Sequence, residues 1–343
     1  MKKLTLLLVF WVAVLVYFAQ IACAEGHYQG GITNIRDFVA PPEEGFVVLW
    51  YNPFYMTDDI RDNNGNKIES FSGSRTLKLG PGERITVDVT GNLSIKPELK
   101  SYTTQPLLAY FKNLNMLGGV KYGLIVAPAY NYLNVKVKAN LTGDVTINGR
   151  HFLGVNRSIK VEDSASGFGD LMVRPVMLDW GTERYDIVTS YSFYAPTGGY
   201  DKNDLANTGL GYWSHELTLG GLLYFNKKAT ALLANATYEF NTEKEDSNVT
   251  PGQNVILEYG VSQYLAKWLA VGVGGASYFQ TTKDSGSGVF GPNNKSQYHL
   301  VGGEIVLWPK LHKFGVQLRY FYQYYSESTS RGQGVNLTGV IVF

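Results

Sequence analysis

Residues 313–325 read Lys-Phe-Gly-Val-Gln-Leu-Arg-Tyr-Phe-Tyr-Gln-Tyr-Tyr. Phe314, Val316, Leu318, Tyr320, Tyr322 and Tyr324 take alternate positions; Gly315, Gln317, Arg319, Phe321, Gln323 and Tyr325 take the others. Successive side chains of a strand point to opposite faces, so one side of this strand is apolar and the other wetter. The rhythm recurs upstream. Leu232, Ala234, Ala236, Tyr238 and Phe240 oppose Leu233, Asn235, Thr237 and Glu239, and Val255, Leu257, Tyr259 and Val261 oppose Ile256, Glu258, Gly260 and Ser262. Strands of soluble domains run about five or six residues. These continue for about ten to fifteen, which crosses a bilayer when tilted.

Counting from Phe46, the pattern predicts twelve strands: 46–56, 102–112, 119–138, 167–180, 184–196, 208–225, 227–241, 252–265, 267–280, 295–308, 312–326 and 334–343. Short turns near 113–118, 181–183, Asn226, Ala266 and 309–311 alternate with longer polar connections at 57–101, 139–166, 197–207, 242–251, 281–294 and 327–333. Segregation of short and long connections to opposite ends is expected of an outer-membrane barrel with tight periplasmic turns. The expected architecture is therefore an all-β, transmembrane antiparallel β-barrel of about twelve strands with periplasmic termini. A further pair within 68–101, one strand near Arg84 to Val89, would make fourteen. Trp180, Trp268, Trp308, Tyr224 and Phe225 fall beside the short turns, and Tyr194, Tyr238, Phe240, Tyr278, Tyr298 and Tyr322 toward the other ends, as two interfacial aromatic girdles would.

Composition narrows the function. The 343 residues include 30 basic and 29 acidic side chains, with no basic excess of the kind that phosphate-backbone binding requires, so no nucleic acid partner is expected. Aromatic residues make up 14% of the chain, which together with its β-branched content argues against disorder. Lys2 and Lys3, the apolar run from Leu6 to Ala19 and Ala22-Cys23-Ala24 fit a secretory signal peptide over 1–24. Gln20 stands where lipoprotein signals usually carry an aliphatic residue, so Cys23 is read as leaving with the signal. It is the sole cysteine; disulfides, thiolate metal sites and cysteine nucleophiles leave with it. Residues 25–45 are then a periplasmic or plug segment, and 46–343 the barrel.

Several motifs carry a resemblance: His27-Tyr28 with Gly30-Gly31, Pro41-Pro42 with Gly45, Trp50-Tyr51, Asp62-Asn63-Asn64-Gly65-Asn66, Gly167-Phe168-Gly169-Asp170 with Pro175, and Ala195-Pro196-Thr197-Gly198-Gly199-Tyr200-Asp201. Their order over residues 26–343 resembles the outer-membrane proteins of the phenol-degradation meta-pathway family, transporters of aromatic and other hydrophobic compounds. The resemblance implies passive uptake of small hydrophobic or aromatic molecules across a Gram-negative outer membrane, porin-like and without a cofactor. The terminal Phe343 is similar to the signal that the barrel-assembly machinery reads, and outer-membrane lipid and lipopolysaccharide are the expected surroundings.

On the wet face the pattern places Asp170, Arg174, Asp186, Glu216, Glu239, Glu258, Glu304 and Arg319, the candidate lumen-lining residues. A basic residue on the lipid face would cost roughly 2–4 kcal/mol at the bilayer midplane. This acid-rich wall suits two alternatives equally: a polar channel wall, as in a general diffusion pore for small polar solutes, or a packed salt-bridge network filling a narrow barrel. A non-transport structural barrel is a further alternative, and an outer-membrane hydrolase another. For the hydrolase, adjacent Ser214 and His215 point to opposite faces, so no nucleophile–base pair is read from the sequence, and no enzymatic activity is expected. Asp62, Asn64 and Asn66 alternate, but glycine falls at the wrong place for a calcium loop, so a turn is expected and no metal.

Overall fold

The computed structural model describes residues 26–68, 70–80, 83–115, 119–289, 293–311 and 313–343. The expected signal peptide lies outside them. The strands are β1 (Gly45–Thr57), β2 (Ser70–Gly80), β3 (Glu83–Asn113), β4 (Lys121–Ala127), β5 (Tyr130–Ile147), β6 (Arg150–Phe168), β7 (Leu171–Gly181), β8 (Tyr185–Ala195), β9 (Ser214–Phe225), β10 (Thr230–Asn241), β11 (Asn254–Ala266), β12 (Leu269–Gln280), β13 (Gln297–Lys310), β14 (Phe314–Glu327) and β15 (Gln333–Val342). A single 3-10 turn, Ile35–Phe38, precedes them.

Antiparallel pairing runs β1–β15–β14–β13–β12–β11–β10–β9–β8–β7–β4–β3 and returns from β3 to β1. Twelve strands thus form a closed ring with no edge left in lipid. Leu49 marks the seam, opposite Val340 on one side and Leu107 on the other. Alternation decides which side faces lipid. On β10, Leu232, Ala234, Ala236 and Tyr238 are exposed while Leu233, Asn235, Thr237 and Glu239 are buried. Along β14, Leu318, Tyr320 and Tyr322 are likewise outward, with Gln317, Arg319 and Gln323 inside. Tyr325 departs from that parity and is exposed, because a register shift opposite His299 and Leu300 inserts an extra residue.

Two expected outer connections are strands instead. Residues 57–101 contain β2 and the first part of β3, and 139–166 the outer parts of β5 and β6. β4 and β5 are successive lengths of one strand: Leu108 faces Val126 and Thr104 faces Tyr130 in unchanged register, with only 128–129 unpaired. β6 and β7 also continue each other across Gly169 and Asp170, here with a one-residue shift, Tyr130 facing Phe168 but Ala127 facing Met172. The hairpins therefore project past the membrane as a sheet of β2, β3, β5 and β6. β2 never joins the ring, so the barrel count stays at twelve. One face of the projecting sheet buries Ile95, Val135, Val137 and Ala139. On the same face Asp163 accepts the amides of Leu205 and Ala206, both at 3.0 Å, which ties the sheet to the 196–213 connection.

Five of the eleven expected girdle aromatics point inward. Tyr278 and Tyr298 are buried and stack at 5.0 Å, Tyr194 and Tyr224 line the interior, and Trp308 packs on the inner cluster of Val47, Ile125 and Val340. Their level along the barrel was readable from the loops, but parity, not level, selects the face. The outward rings include Trp268, Phe225, Phe46 and Phe314 near the short turns, and Tyr102, Tyr130, Tyr132, Phe168, Tyr238 and Tyr322 toward the outer end.

Candidate functional site

Residues 26–44 run inside the ring, from the outer ends of the strands to the periplasmic rim where β1 begins. Contacts mark the path. His27 bonds Ser214, at the outer start of β9, and Asp170, just before β7. The Tyr28 amide donates to Glu239 (3.0 Å) and its hydroxyl to Glu258 (2.5 Å), which also takes the Gly31 amide at 2.8 Å. Deeper in, the Ile35 amide donates to Glu304 (2.9 Å), and Arg319 bridges Glu304 (2.9 Å) and the Gly31 carbonyl (2.6 Å). Arg36 reaches the Ala229 carbonyl in a short turn, the Ala40 amide donates to Asp179, and Lys121 donates to the Pro42 carbonyl. Gly31 sits at φ +88° with Leu300 against the place of a side chain. Only glycine meets both demands at the bend that aims its amide at Glu258 and its carbonyl at Arg319.

All eight candidate lumen residues lie inside the ring. Asp170, Glu239, Glu258, Glu304 and Arg319 hold the threaded segment. Glu216 is fully buried opposite Glu239 on the neighbouring strand, Arg174 donates to Ser192, and Asp186 accepts from the Tyr224 hydroxyl. Three of the six acids, Glu239, Glu258 and Glu304, therefore receive backbone amides of residues 28–35, which extended backbone lying off a strand edge must satisfy somewhere. Asp37, Asp179, Gln317 and Asn336 extend this set and were missed. Asn336 donates to the Ile32 carbonyl at 3.1 Å, and Gln317 to Asp37 at 3.0 Å. Parity on β14 and β15 put Gln317 and Asn336 on the wet face, but no sequence signal tied them to residues some three hundred positions earlier.

The motifs Gly167-Phe168-Gly169-Asp170 and Thr197-Gly198-Gly199 meet at Asp170. Its Oδ1 accepts the Gly198 amide (2.9 Å), and its Oδ2 accepts Leu210 (2.7 Å) and His27 (2.8 Å). A side chain at Gly198 would run into Gly209, and one at Gly209 into the Asp170 carboxylate. The His27 ring stacks on Tyr194 at 4.7 Å and meets the edge of Tyr212 at 4.9 Å.

Sequence reasoning found no base for Ser214; the fold supplies one in His27, with Asp170 behind it. Proton direction argues against nucleophile activation. Ser214 donates to Asn241 Oδ1 at 2.6 Å, and the Asn241 amide is fixed in that orientation by donating to the Gly252 carbonyl at 2.8 Å. Ser214 is left to accept from His27 Nδ1 at 2.6 Å, the reverse of the transfer a catalytic triad makes. Ser214 is also fully buried. Asp62 closes the expected turn by accepting the amides of Asn64 and Asn66, both at 2.9 Å. Among the described residues no cluster of His, Cys, Asp and Glu is placed to hold a metal.

The segment leaves one side of the lumen uncovered. Between it and the wall of β1, β3, β4, β7, β8 and β15 runs a cavity of about 1210 Å³, lined from Ser101 and Thr103 near the outer rim to Lys121 and Thr182 near the periplasmic one. Its wall there is apolar: Val47, Leu107, Ile125, Met172, Val188 and Val340. The interior is thus uneven: acidic where residues 28–35 are pinned, and on the facing wall mainly apolar, with Lys121, Arg174, Asp179 and Asp186 set among the apolar residues.

Comparison with known proteins agrees with this architecture. The fold is similar to the crystal structure of the COG4313 outer membrane channel from Pseudomonas putida F1, with a TM-score of 0.64 at 14% identity over 91% of this chain and 100% of that one. A Pseudomonas aeruginosa FadL homologue aligns with a TM-score of 0.39 at 12% identity, over 87% of this chain and 90% of that one. No curated protein sequence matches the chain. An edgeless barrel with an apolar exterior and aromatic girdles is the outer-membrane solution to spanning lipid, and that is where this protein resides. The family described as "Putative MetA-pathway of phenol degradation" matches residues 57–339, and the chain belongs to that family.

Proposed function

We propose that the barrel is a passive outer-membrane channel for small hydrophobic or aromatic compounds, with the cargo moving between residues 26–44 and the apolar wall. The observation that carries this reading is the cavity lined by Val47, Leu107, Ile125, Met172, Val188 and Val340. Apolar solutes gain about 25 cal/mol per Å² on leaving water for such a wall, and Arg174, which also lines it, is already engaged by Ser192. The family and the channel fold support the same cargo class.

In this reading the threaded segment is a plug, and the acidic residues are its anchors rather than a selectivity surface. A general diffusion pore is the second reading, favoured by the concentration of carboxylates at Glu216, Glu239 and Glu258. Nor do His27, Ser214 and Asp170 act as a hydrolase here: they fasten the plug. Phe343, exposed at the periplasmic rim with its amide bonded to Phe46, serves as the assembly signal.

Purified protein in planar bilayers, paired with growth of a gene deletion on a panel of aromatic carbon sources, tests the choice. Near-silent bilayers with loss of growth on specific aromatics support the selective channel. Stable large conductance with unchanged growth establishes the pore instead.

A further inference from the structure

The projecting sheet carries a feature that transport through the lumen does not use. Across β3, β5 and β6 the outward residues form rows set by strand pairing. Moving away from the membrane, these are Thr104–Tyr130–Phe168, Tyr102–Tyr132–Ser166, Lys100–Asn134–Ser164, Glu98–Lys136–Glu162 and Lys96–Lys138–Lys160. No bulge interrupts the register over these rows, so all five lie on one face, continuous with the lipid-facing wall of the barrel.

Three lysines directly opposite one another on adjacent strands repel, since cross-strand neighbours sit about 5 Å apart at Cβ. The local acids relieve them only in part, Lys160 alone of the three making an ion pair among the described residues. Glu98 is engaged by Lys100 at 2.8 Å and Lys136 at 3.9 Å, and Glu162 by Lys160 at 2.5 Å. Lys96 and Lys138 are exposed, and among the described residues neither makes an ion pair. Such a row is stable beside a layer of fixed anions and unfavourable in plain water.

Position says which layer. Tyr102, Tyr130, Tyr132 and Phe168 mark the outer interface on this face. Lys96 is six residues beyond Tyr102, which at about 3.4 Å per residue and a tilt of about 40° sets the lysine row roughly 15 Å outside the aromatic row. A phospholipid headgroup layer is too thin to reach that height, while the phosphorylated sugars of an outer-leaflet glycolipid extend past it. Anionic cargo would not be served by this face, which points away from the lumen.

We propose that Lys96, Lys138 and Lys160 form a docking face for the phosphate groups of lipopolysaccharide, holding the projecting sheet against the surrounding leaflet. The inference rests on outer-membrane residence and is independent of what crosses the lumen. The full barrel in neutral detergent is titrated with rough lipopolysaccharide that keeps its complete phosphorylated core, with the same lipid after chemical removal of its phosphates, and with inorganic phosphate alone. The wild type should bind the phosphorylated lipid preferentially and in a salt-sensitive manner. Each lysine near an anionic surface is worth about fivefold, so Lys96→Gln with Lys138→Gln should weaken binding about 25-fold, while the corresponding arginine pair keeps it. Equal binding of the dephosphorylated lipid, competition by millimolar inorganic phosphate, or an unchanged glutamine variant would overturn the proposal. Should that variant fail to fold, the salt series on wild-type protein decides: affinity that ignores salt refutes the docking face.

Discussion

Replacing Glu258 by alanine asks how firmly the lumen segment is held. Glu258 takes two donors from that segment, the Tyr28 hydroxyl at 2.5 Å and the Gly31 amide at 2.8 Å. A hydrogen bond to a charged acceptor contributes about 1.5–3 kcal/mol. Lumen water can resolvate the freed donors, so the lower figure applies, and the pair together is worth about 3 kcal/mol. At 1.4 kcal/mol per decade the undocked population rises roughly 150-fold. Alanine faces the lumen there, so the exterior and the ring pairing are untouched. The readout is a cysteine at Thr33, which is half-buried beside the cavity, on a Cys23→Ala background, labelled by a bulky water-soluble maleimide. Labelling requires the segment to leave the wall, so its rate reports the undocked fraction. Glu243→Ala, a change at an exposed outer residue, controls for loss of a carboxylate. A labelling rate within about threefold of wild type, in a barrel whose heat-modifiable migration is intact, would refute the pinning argument, because two bonds to one anion cannot both be worth that little.

Three further outcomes follow from the same geometry. Arg319→Met strands Glu304 and the Gly31 carbonyl; breaking a buried pair from one side should cost about 3–5 kcal/mol in urea unfolding in detergent, and adding Glu304→Gln should recover part of it. Leu318→Arg, one residue from an arginine the barrel tolerates, puts the charge into lipid and should cost roughly 2–4 kcal/mol of folding free energy in vesicles; a neutral effect would mean that the faces are misassigned. Asp170→Asn removes the charge from the acceptor that His27, Gly198 and Leu210 share, so bilayer openings should become more frequent; an unchanged record would refute its role as an anchor.

What was legible in the sequence follows from where the solvent changes. On β10, β11 and β14 the exterior is lipid and the interior is wet, so parity and polarity coincide; the lipid-facing set could be read residue by residue. On the projecting sheet both sides of the membrane boundary keep the same pleat, but the outward neighbour becomes water. Lys96, Glu98, Lys136, Lys138, Lys160 and Glu162 then resemble a polar loop, although Ile95, Val135, Val137 and Ala139 still alternate beneath them. The period persisted; only the solvent switched. Aromatic residues failed for the complementary reason: rings serve a lipid interface and a packed lumen equally well, so Tyr278 and Tyr298 could not be assigned by type.

The lumen shows a limit of another kind. Inward placement of Asp170, Glu239, Glu258, Glu304 and Arg319 could be argued from the cost of charge in lipid, but their partners in the segment could not, because Glu239, Glu258, Glu304 and Arg319 each take a backbone atom of residues 28–35. An amide leaves no mark in composition. Glycine does: Gly31 and Gly198 stood out in the motifs because the chain bends or approaches too closely there for a side chain. A carboxylate forced inward by lipid must then find donors, and a chain threaded without a sheet partner must find acceptors; each removes the other's desolvation cost. That mutual need explains why Glu239, Glu258 and Glu304 lie where the segment runs. The opposite wall carries Lys121, Arg174, Asp179 and Asp186, but between them Val47, Leu107, Ile125, Met172, Val188 and Val340 give an apolar lane past the charged anchor.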